Sequence, residues 1–312
     1  MNRITNGLAL TALGILLAGC VSETGLIEEG AELQLVSEAF EFTEGPATAP
    51  GGDVYFTDQP NNRIHRWDAK TGEISVFMEP AGRANGLYWD NEGNLLAAAD
   101  EKFELWRIAP DKSVEVLTDN YQGAKFNGPN DMWVHPDGTI YFTDPYYQRP
   151  YWERQEKEIE EERVYRIPAA GGEPQLAADG LVQPNGIIGT RDGKRLYVAD
   201  IGNSMTYRYD IAPDGSLENA TLMITMGSDG MTLDEQGNIY LTGRGVHIFS
   251  PEGKKLHHIE VPESWTANVT FGGTDGKTLF ITAMDAVYTL RMTVAGMHWQ
   301  PNDPIPLIFN KC

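Results

Sequence analysis

The stretch NDMWVHPDGTIYFTDP, residues 130–145, contains the unit that decides the fold. It begins with an oxygen-bearing side chain, Asn130, and Gly138 follows eight residues later. The glycine opens the run GTIYFTD (138–144), which is short, apolar and typical of a β-strand. The spacing between the polar residue and the glycine is the feature to search for elsewhere in the chain.

The same spacing occurs six times along the chain. The six polar residues are Glu44, Asn85, Asn130, Asn185, Asp229 and Asn268, and the glycines are Gly52, Gly93, Gly138, Gly193, Gly237 and Gly276. The glycines follow one another at intervals of 39 to 55 residues. A period of this length with several short strands per repeat is typical of a β-propeller. We therefore predict an all-β, six-bladed β-propeller in which six polar side chains converge on the channel axis.

A simpler interpretation of the spacing is that it marks turns. Four of the six polar residues precede a glycine, and Asn-Gly and Asp-Gly pairs are turn signals. A turn accounts less readily for Glu44, for Asn130 before Asp131, and for Asn268 before Val269. Both interpretations stay open at this point, and they differ in whether the six side chains meet.

The N-terminus predicts export and lipid attachment. An apolar segment at about residues 8–18 is shorter than the roughly 20 residues that a membrane span needs, and it fits a secretory signal. Leu17-Ala18-Gly19-Cys20 resembles a bacterial lipobox, which implies cleavage before Cys20 and acylation of its sulfur. We expect a lipoprotein signal peptide (1–19), an acidic tether (20–32) and one propeller domain (33–312). The expected location is the cell envelope, facing the periplasm or the exterior.

Charge and cysteine content restrict the partners and the source of stability. The net charge of −21 would repel phosphate backbones and anionic lipids, so nucleic acid is an unfavourable partner and the lipid anchor is the expected contact with a membrane. After cleavage one cysteine besides Cys20 remains, Cys312, so no disulfide can form within the propeller. Its stability must come from the apolar core.

An insertion separates the third and fourth repeats. The segment PYYQRPYWERQEKEIEEER (145–163) opens with proline and aromatic residues and ends in a charged, helix-like run. Long insertions in compact domains are often functional. We expect its aromatic residues Tyr146, Tyr147, Tyr151 and Trp152 to overhang the channel as a lid.

Converging carboxylate and amide oxygens predict a metal site. Oxygen donors without sulfur or imidazole favour a hard cation, and open coordination positions favour Ca2+ over Mg2+. A buried calcium that only stiffens the ring is the alternative to a catalytic ion.

The repeat motifs resemble the senescence-marker/gluconolactonase (regucalcin-like) family of six-bladed propeller lactonases. The resemblance rests on FNGPNDMWVHPDGTIYFTDP (126–145), VQPNGIIGTRDGKRLYVAD (182–200), GSDGMTLDEQGNIYLTG (227–243) and ANVTFGGTDGKTLFITA (267–283). It implies one divalent cation on the axis, held by Glu44, Asn130, Asn185 and Asp229. We expect Asn85, Asn130, Asn268, Tyr146 and Tyr147 to bind substrate.

One departure from the family pattern bears on the substrate. Relatives of the regucalcin type carry an arginine two residues before the substrate-binding asparagine, where this chain has Gly128. They also carry a glutamate near the position of Tyr146 or Tyr147. Loss of these polar groups favours a less polar lactone than an aldonolactone.

The resemblance implies a metal-dependent carboxylic ester hydrolase that opens lactones. The cation would act as a Lewis acid, and Asp229 would activate water as a base or attack as a nucleophile. An organophosphate or aryl ester hydrolase using the same ion is one alternative, since the family is distantly related to such enzymes. A calcium-stabilised propeller that binds a ligand without catalysis is the other.

Overall fold

The predicted six-bladed β-propeller is confirmed. The structure is a computed structural model and describes residues 25–301. Six four-stranded antiparallel sheets form the blades, and a two-stranded hairpin lies between the second and third. Each blade is a meander in which neighbouring strands of the chain pair in order, from the channel outwards.

The first half of the chain forms the first two blades and begins the third. The strands are β1 (Gln34–Ser37), β2 (Thr43–Thr48), β3 (Val54–Asp58), β4 (Arg63–Trp67), β5 (Ile74–Met78), β6 (Ala84–Trp89), β7 (Leu95–Ala99), β8 (Glu104–Ile108), β9 (Val114–Thr118), β10 (Asn120–Tyr121), β11 (Ala124–Lys125), β12 (Met132–Val134) and β13 (Ile140–Asp144). Blade 1 is β2–β5, blade 2 is β6–β9, and β10 pairs with β11.

The second half completes the ring. The strands are β14 (Arg163–Ile167), β15 (Gln175–Ala178), β16 (Pro184–Gly189), β17 (Arg195–Asp200), β18 (Met205–Ile211), β19 (Leu217–Ile224), β20 (Met231–Leu233), β21 (Ile239–Gly243), β22 (Gly245–Phe249), β23 (Lys255–Ile259), β24 (Asn268–Gly272), β25 (Thr278–Ala283) and β26 (Ala286–Arg291), with a 3-10 turn at Ile201–Asn203. Blade 3 is β12–β15, blade 4 is β16–β19 and blade 5 is β20–β23.

The N-terminal strand closes the ring. Blade 6 takes β24, β25 and β26 from the C-terminal part of the chain and β1 as its outermost strand. β1 pairs antiparallel with β26, with Gln34 opposite Thr289. The two ends of the propeller are therefore held in one sheet, so neither end leaves an unpaired inner edge.

Two sets of glycines explain the repeated sequence unit. All six glycines of the repeat have positive φ, from +69° to +99°, in the turns after the inner strands. The glycines after the axial residues serve close packing instead: a Cβ on Gly86 would lie 2.8 Å from Cα of Asp131, the residue directly before the next inner strand. Gly86 and Gly186 lie within β6 and β16, so the Asn-Gly pairs are not turns. The interpretation of the spacing as turns alone is wrong.

The core lies between blades and is rich in aromatic side chains. Trp133 and Tyr141 are fully buried and stack on each other at 6.0 Å. Phe56 of blade 1 contacts Phe280 of blade 6 at 5.5 Å across the closure. Each blade thus buries its faces against its neighbours, where aromatic rings contribute large apolar areas.

The chain ends are only partly described. Residues 25–32 of the predicted tether lie against blade 6, where Leu26 is buried and Ile27 pairs with Met292. The predicted signal peptide (1–19), Cys20 and Cys312 lie outside the described residues. Between residues 25 and 301, no helix has the length and apolar character that a bilayer crossing requires.

Candidate active site

The six repeat residues occupy equivalent places at one end of the channel. Glu44, Asn85, Asn185 and Asn268 lie at the start of inner strands, and Asn130 and Asp229 lie two residues before theirs. All but Asp229 are buried, with 1–5 % of their surface exposed. We call this end of the channel the upper end and the end with the glycine turns the lower end.

Contacts between neighbouring blades tie these positions into a ring. The Gly86 N–H donates to the Asn130 carbonyl at 2.7 Å, which joins blades 2 and 3. Thr143 donates its hydroxyl to the Asn185 carbonyl at 2.7 Å, and Thr57 does the same to the Asn85 carbonyl at 2.9 Å. The backbone at each axial position is therefore fixed by the adjoining blade.

Two pairs of axial side chains are in direct contact. The Asn185 amide donates to the Asp229 carboxylate at 2.8 Å, and the Asn268 amide donates to the Glu44 carboxylate at 3.3 Å. Asn85 and Asn130 occupy the equivalent places in blades 2 and 3, but within residues 25–301 their side chains hydrogen-bond to none of the other four. Both ends of the Asn268 amide have partners, because its nitrogen donates to Glu44 and its oxygen accepts from the Val269 N–H at 2.8 Å.

The two axial carboxylates are close enough to repel each other. Burial raises the pKa of Glu44 well above its ordinary value, and the charges of Asp229 and Asp131 raise it further. Burial raises the pKa of Asp229 to about 6, while hydrogen bonds from Trp265 and Asn185 act in the opposite direction. Buried like charges of this kind are stabilised by a cation between them.

Amide oxygens at the same end are left without partners. The buried Oδ1 atoms of Asn85 and Asn185 have no hydrogen-bond partner among the described residues. Because the Nδ2 of Asn185 donates to Asp229 and to the Tyr147 hydroxyl, its Oδ1 remains available. An uncompensated buried carbonyl oxygen costs about 1–3 kcal/mol unless something binds it.

This donor set fits a hard divalent cation. It combines two carboxylates, Glu44 and Asp229, with neutral amide oxygens, and calcium prefers such ligands. The described part of the chain has no cluster of three or more histidine, cysteine or acidic side chains that could hold a metal. Amide oxygens such as the unpartnered Oδ1 of Asn185 would have to complete such a set.

Asp229 is held by two donors in a fixed orientation. The indole N–H of Trp265 donates to Oδ2 at 2.6 Å, and Asn185 donates to Oδ1. No repeated spacing in the sequence points to Trp265, because its loop lies between strands. Asp131 was also missed, although it follows Asn130 directly, and its pKa is raised to about 7 by burial.

The insertion reaches the site through Tyr147. The hydroxyl of Tyr147 accepts from Asn185 at 2.9 Å, whereas Tyr146 contacts Gln148 and packs against Trp152. Of the two tyrosines predicted to bind substrate, only Tyr147 contacts an axial side chain. Trp152 does not overhang the channel: it is buried and packs on Phe103 at 4.7 Å.

The expected helix at the end of the insertion is also absent. The charged run at 156–162 is not helical but a series of bends, in which Ile159 and Glu162 are buried. Glu162 pairs with Lys157 at 2.6 Å. At Gly128, a Cβ would lie 3.0 Å from the Trp152 ring, so the indole fills the space around this position.

Comparison with known proteins agrees with this geometry. The chain is 28% identical to a gluconolactonase from Zymomonas mobilis over 87% of its own length and 84% of the relative's. A gluconolactonase structure from Xanthomonas campestris superposes with a TM-score of 0.80 at 27% identity, covering 86% of this chain and 91% of the other. The calcium-binding protein regucalcin from Agrobacterium tumefaciens, at 19% identity, shares the fold with a TM-score of 0.71 over 87% and 97% of the two chains.

The match to a family is more extensive than any one motif. The SMP-30/Gluconolactonase/LRE-like region corresponds to residues 42–285, from the first inner strand to the turn before the last strand. This range includes all six axial residues and the insertion. The chain belongs to the SMP-30/gluconolactonase/LRE-like family.

Proposed function

We propose that this protein is a lactone hydrolase whose reaction takes place at the upper end of the channel. The observation that carries the proposal is the grouping of two carboxylates, the buried Glu44 and the partly exposed Asp229, with the unpartnered amide oxygen of Asn185. Membership of a family with lactonases among its relatives supports the reaction class. Hydrolysis of a panel of aldono-, alkyl and aryl lactones by the purified protein tests it.

We assign the axial cation as calcium, held by Glu44, Asn130, Asn185 and Asp229. The hard oxygen donors support this choice, and a structural relative is calcium-binding. When bound, such an ion polarises a lactone carbonyl and stabilises the negative charge that develops on its oxygen. The residues of the chain then have to orient the substrate and handle the proton of the attacking water.

We assign Asp229 as the base that removes the proton of the attacking water. Trp265 and Asn185 fix both carboxylate oxygens, so the base is held in one orientation. A carboxylate beside a dication is a weak base, and direct attack of Asp229 on the carbonyl carbon is the alternative role. If Asp229 attacks, a mixed anhydride would form as the ring C–O bond breaks, and water would then cleave the anhydride. In a single turnover in labelled water, label in the Asp229 carboxylate would identify the nucleophilic route through attack of water on the carboxylate carbon, whereas the base route puts label in the product alone.

The proposed substrate is a lactone with an apolar substituent. Tyr147 offers an aromatic face beside Asn185, and Trp152 fills the space next to Gly128, where regucalcin-type relatives have an arginine. A polyhydroxylated lactone would need several hydrogen-bond partners there, and unpaired buried hydroxyls are unfavourable. A strong preference for gluconolactone over aryl or alkyl lactones would refute this specificity.

We also propose that the protein acts outside the cytoplasm, anchored through Cys20. The support is the sequence of residues 1–20 alone. Two or three acyl chains would give stable attachment, whereas a single chain binds only marginally. Cys20→Ser should move the protein from the membrane fraction to the soluble fraction, and continued membrane association of that variant would refute the anchor.

A further inference from the structure

Equivalent aspartates at the ends of three second strands share one structural role. Asp58, Asp144 and Asp200 end β3, β13 and β17, and each carboxylate accepts two successive backbone N–H groups from the loop that enters its own inner strand. The donors are Glu41 and Phe42 for Asp58, Asn127 and Gly128 for Asp144, and Val182 and Gln183 for Asp200. This repeated contact holds the loop before the axial residue.

In blade 2 the equivalent position is taken by Ala99, the last residue of β7, and Asp100 is the next residue along the chain. The carboxylate of Asp100 has different partners from those of the three strand-end aspartates. Its carboxylate accepts from three side chains: Gln59 at 3.1 Å, Arg149 at 3.1 Å and Tyr151 at 2.5 Å. Its backbone carbonyl accepts from the Trp152 indole at 2.9 Å. Three of these four donors belong to the insertion at 145–163.

In blade 2, Asn62 holds the loop that leads into the inner strand. The side-chain oxygen of Asn62 accepts the N–H groups of Ala81 and Arg83, both at 2.8 Å. Because Asn62 holds the backbone before Asn85, the carboxylate of Asp100 is not needed for that purpose. Asn62 thus does in blade 2 what the strand-end aspartates do in blades 1, 3 and 4, and the carboxylate of Asp100 binds residues of the insertion instead.

The Asp100 contact is buried and charged. Asp100 is 2 % exposed, and burial raises its pKa while the Arg149 guanidinium lowers it. Removing one partner of such a pair leaves the other charge without compensation, which is far less favourable than losing an exposed pair. Asp100 is therefore one buried anchor of the insertion, alongside the hydrogen bonds that Arg154 donates to the carbonyls of Phe126 and Asn127.

Arg149 links the anchor to the axial site. Its guanidinium lies over the Tyr147 ring, 5.4 Å from the centroid, and the Tyr147 hydroxyl accepts from Asn185. Asn185 in turn donates to Asp229. The position of Tyr147 beside the axial residues thus depends on where Arg149 is held.

We propose that Asp100 is a positioning residue that fixes the insertion so that Tyr147 stays against Asn185 and selects lactones with apolar substituents. The specificity part of this proposal rests on the proposed lactonase function, whereas the anchoring part does not. Asp100 does not touch substrate: it acts through Arg149 and Tyr147.

Limited proteolysis tests the anchor without any substrate. Trypsin can cut the insertion after Arg154 and after Lys157, and Asp100→Ala should raise the rate of these cuts about tenfold or more by increasing the open population. The control is Asp234→Asn: Asp234 is also buried and also accepts from a tyrosine, Tyr240 at 3.0 Å, but it lies at the lower end of the channel. Cleavage of Asp100→Ala no faster than that of Asp234→Asn would overturn the proposal, whether or not the protein hydrolyses lactones.

Kinetics test the consequence for specificity. In Asp100→Ala the ratio of kcat/KM for an aryl lactone to that for a small lactone should fall about tenfold, mainly through KM for the aryl substrate, while Asp234→Asn leaves the ratio unchanged. Asp100→Asn, which keeps the shape and can still accept from Tyr151, should recover part of the ratio. An unchanged ratio in an Asp100→Ala protein whose insertion is cut faster would refute the role in specificity. Absence of turnover in the unmodified protein would instead refute the proposed function and leave the proteolysis result standing.

Discussion

Asn185 and Asp229 lie in successive blades, and the Asn185 amide donates to the Asp229 carboxylate at 2.8 Å. The same amide nitrogen donates to the Tyr147 hydroxyl, so the side-chain oxygen of Asn185 is the atom left for another ligand. One residue thereby joins the insertion, the proposed base and the proposed metal position.

Asp229→Asn tests the assignment of the base. The substitution preserves volume and leaves an acceptor oxygen, so the propeller should fold. We expect kcat to fall by roughly 10²- to 10⁴-fold, the range for loss of a positioned base. Near-normal turnover by a folded variant with its metal bound would contradict the assignment, and Asp234→Asn serves as the matched control.

Tyr147→Ala tests the apolar contact next to Asn185. It removes aromatic surface worth about 25 cal/mol for each Å² that a substrate covers. KM should rise for an aryl lactone and change little for a small sugar lactone. Trp152 is not part of this variant because it is buried, and its removal would destabilise the protein by about 3–5 kcal/mol. Equal changes in KM for both substrates would argue against the contact.

Gly86→Ala tests the close approach of neighbouring inner strands. The added methyl would meet the backbone of Asp131, which cannot move aside as a flexible side chain could. Overpacking of this kind costs about 1–3 kcal/mol, so the urea midpoint should fall clearly. Glu92→Ala, on an exposed turn of the same blade, should change stability by less than about 0.5 kcal/mol. If both variants unfold at the midpoint of the unmodified protein, the strands are not packed as described.

His298 predicts a pH dependence of stability at the lower end of the channel. Burial lowers its pKa to about 4, although its Nε2–H donates to the Gly189 carbonyl at 2.8 Å. In the unfolded chain the pKa is about 6.5, so folding excludes a proton below that pH. Stability should be complete above pH 6.5 and decline as pH falls towards 4, by at most about 1.4 kcal/mol per pH unit.

His298→Gln isolates that contribution, because glutamine keeps an N–H donor and does not titrate. Between pH 7 and pH 5 the melting temperature of the unmodified protein should fall more than that of the variant. Parallel curves for the two proteins would show that His298 is protonated in the folded state.

The fold was predictable because its signals are local and repeated. The turn at Gly138 needs a positive φ, and Asn130 lies eight residues before it. Every blade has a polar residue and a glycine at this spacing, so one chain contains six copies of the pattern. Because the spacing repeats within one chain, the positions of the axial residues were predictable from this sequence alone.

The residues that orient the site were not predictable in this way. Trp265 and Arg149 lie in segments that occur once, and their contacts depend on the path of loops between blades. The insertion was expected to end in a helix because its charged run has high helix propensity. Burial of Ile159 and the pairing of Lys157 with Glu162 favour bends instead, since tertiary contacts override propensity in so short a segment.

The most direct test of the account is lactone turnover by the purified protein before and after removal of divalent ions. We predict hydrolysis of at least one lactone in the panel, its loss in excess chelator together with a lower melting temperature, and recovery of both when calcium is added. Failure of the calcium-loaded protein to open any lactone, or undiminished turnover by protein that metal analysis shows to be free of divalent ions, would contradict the account.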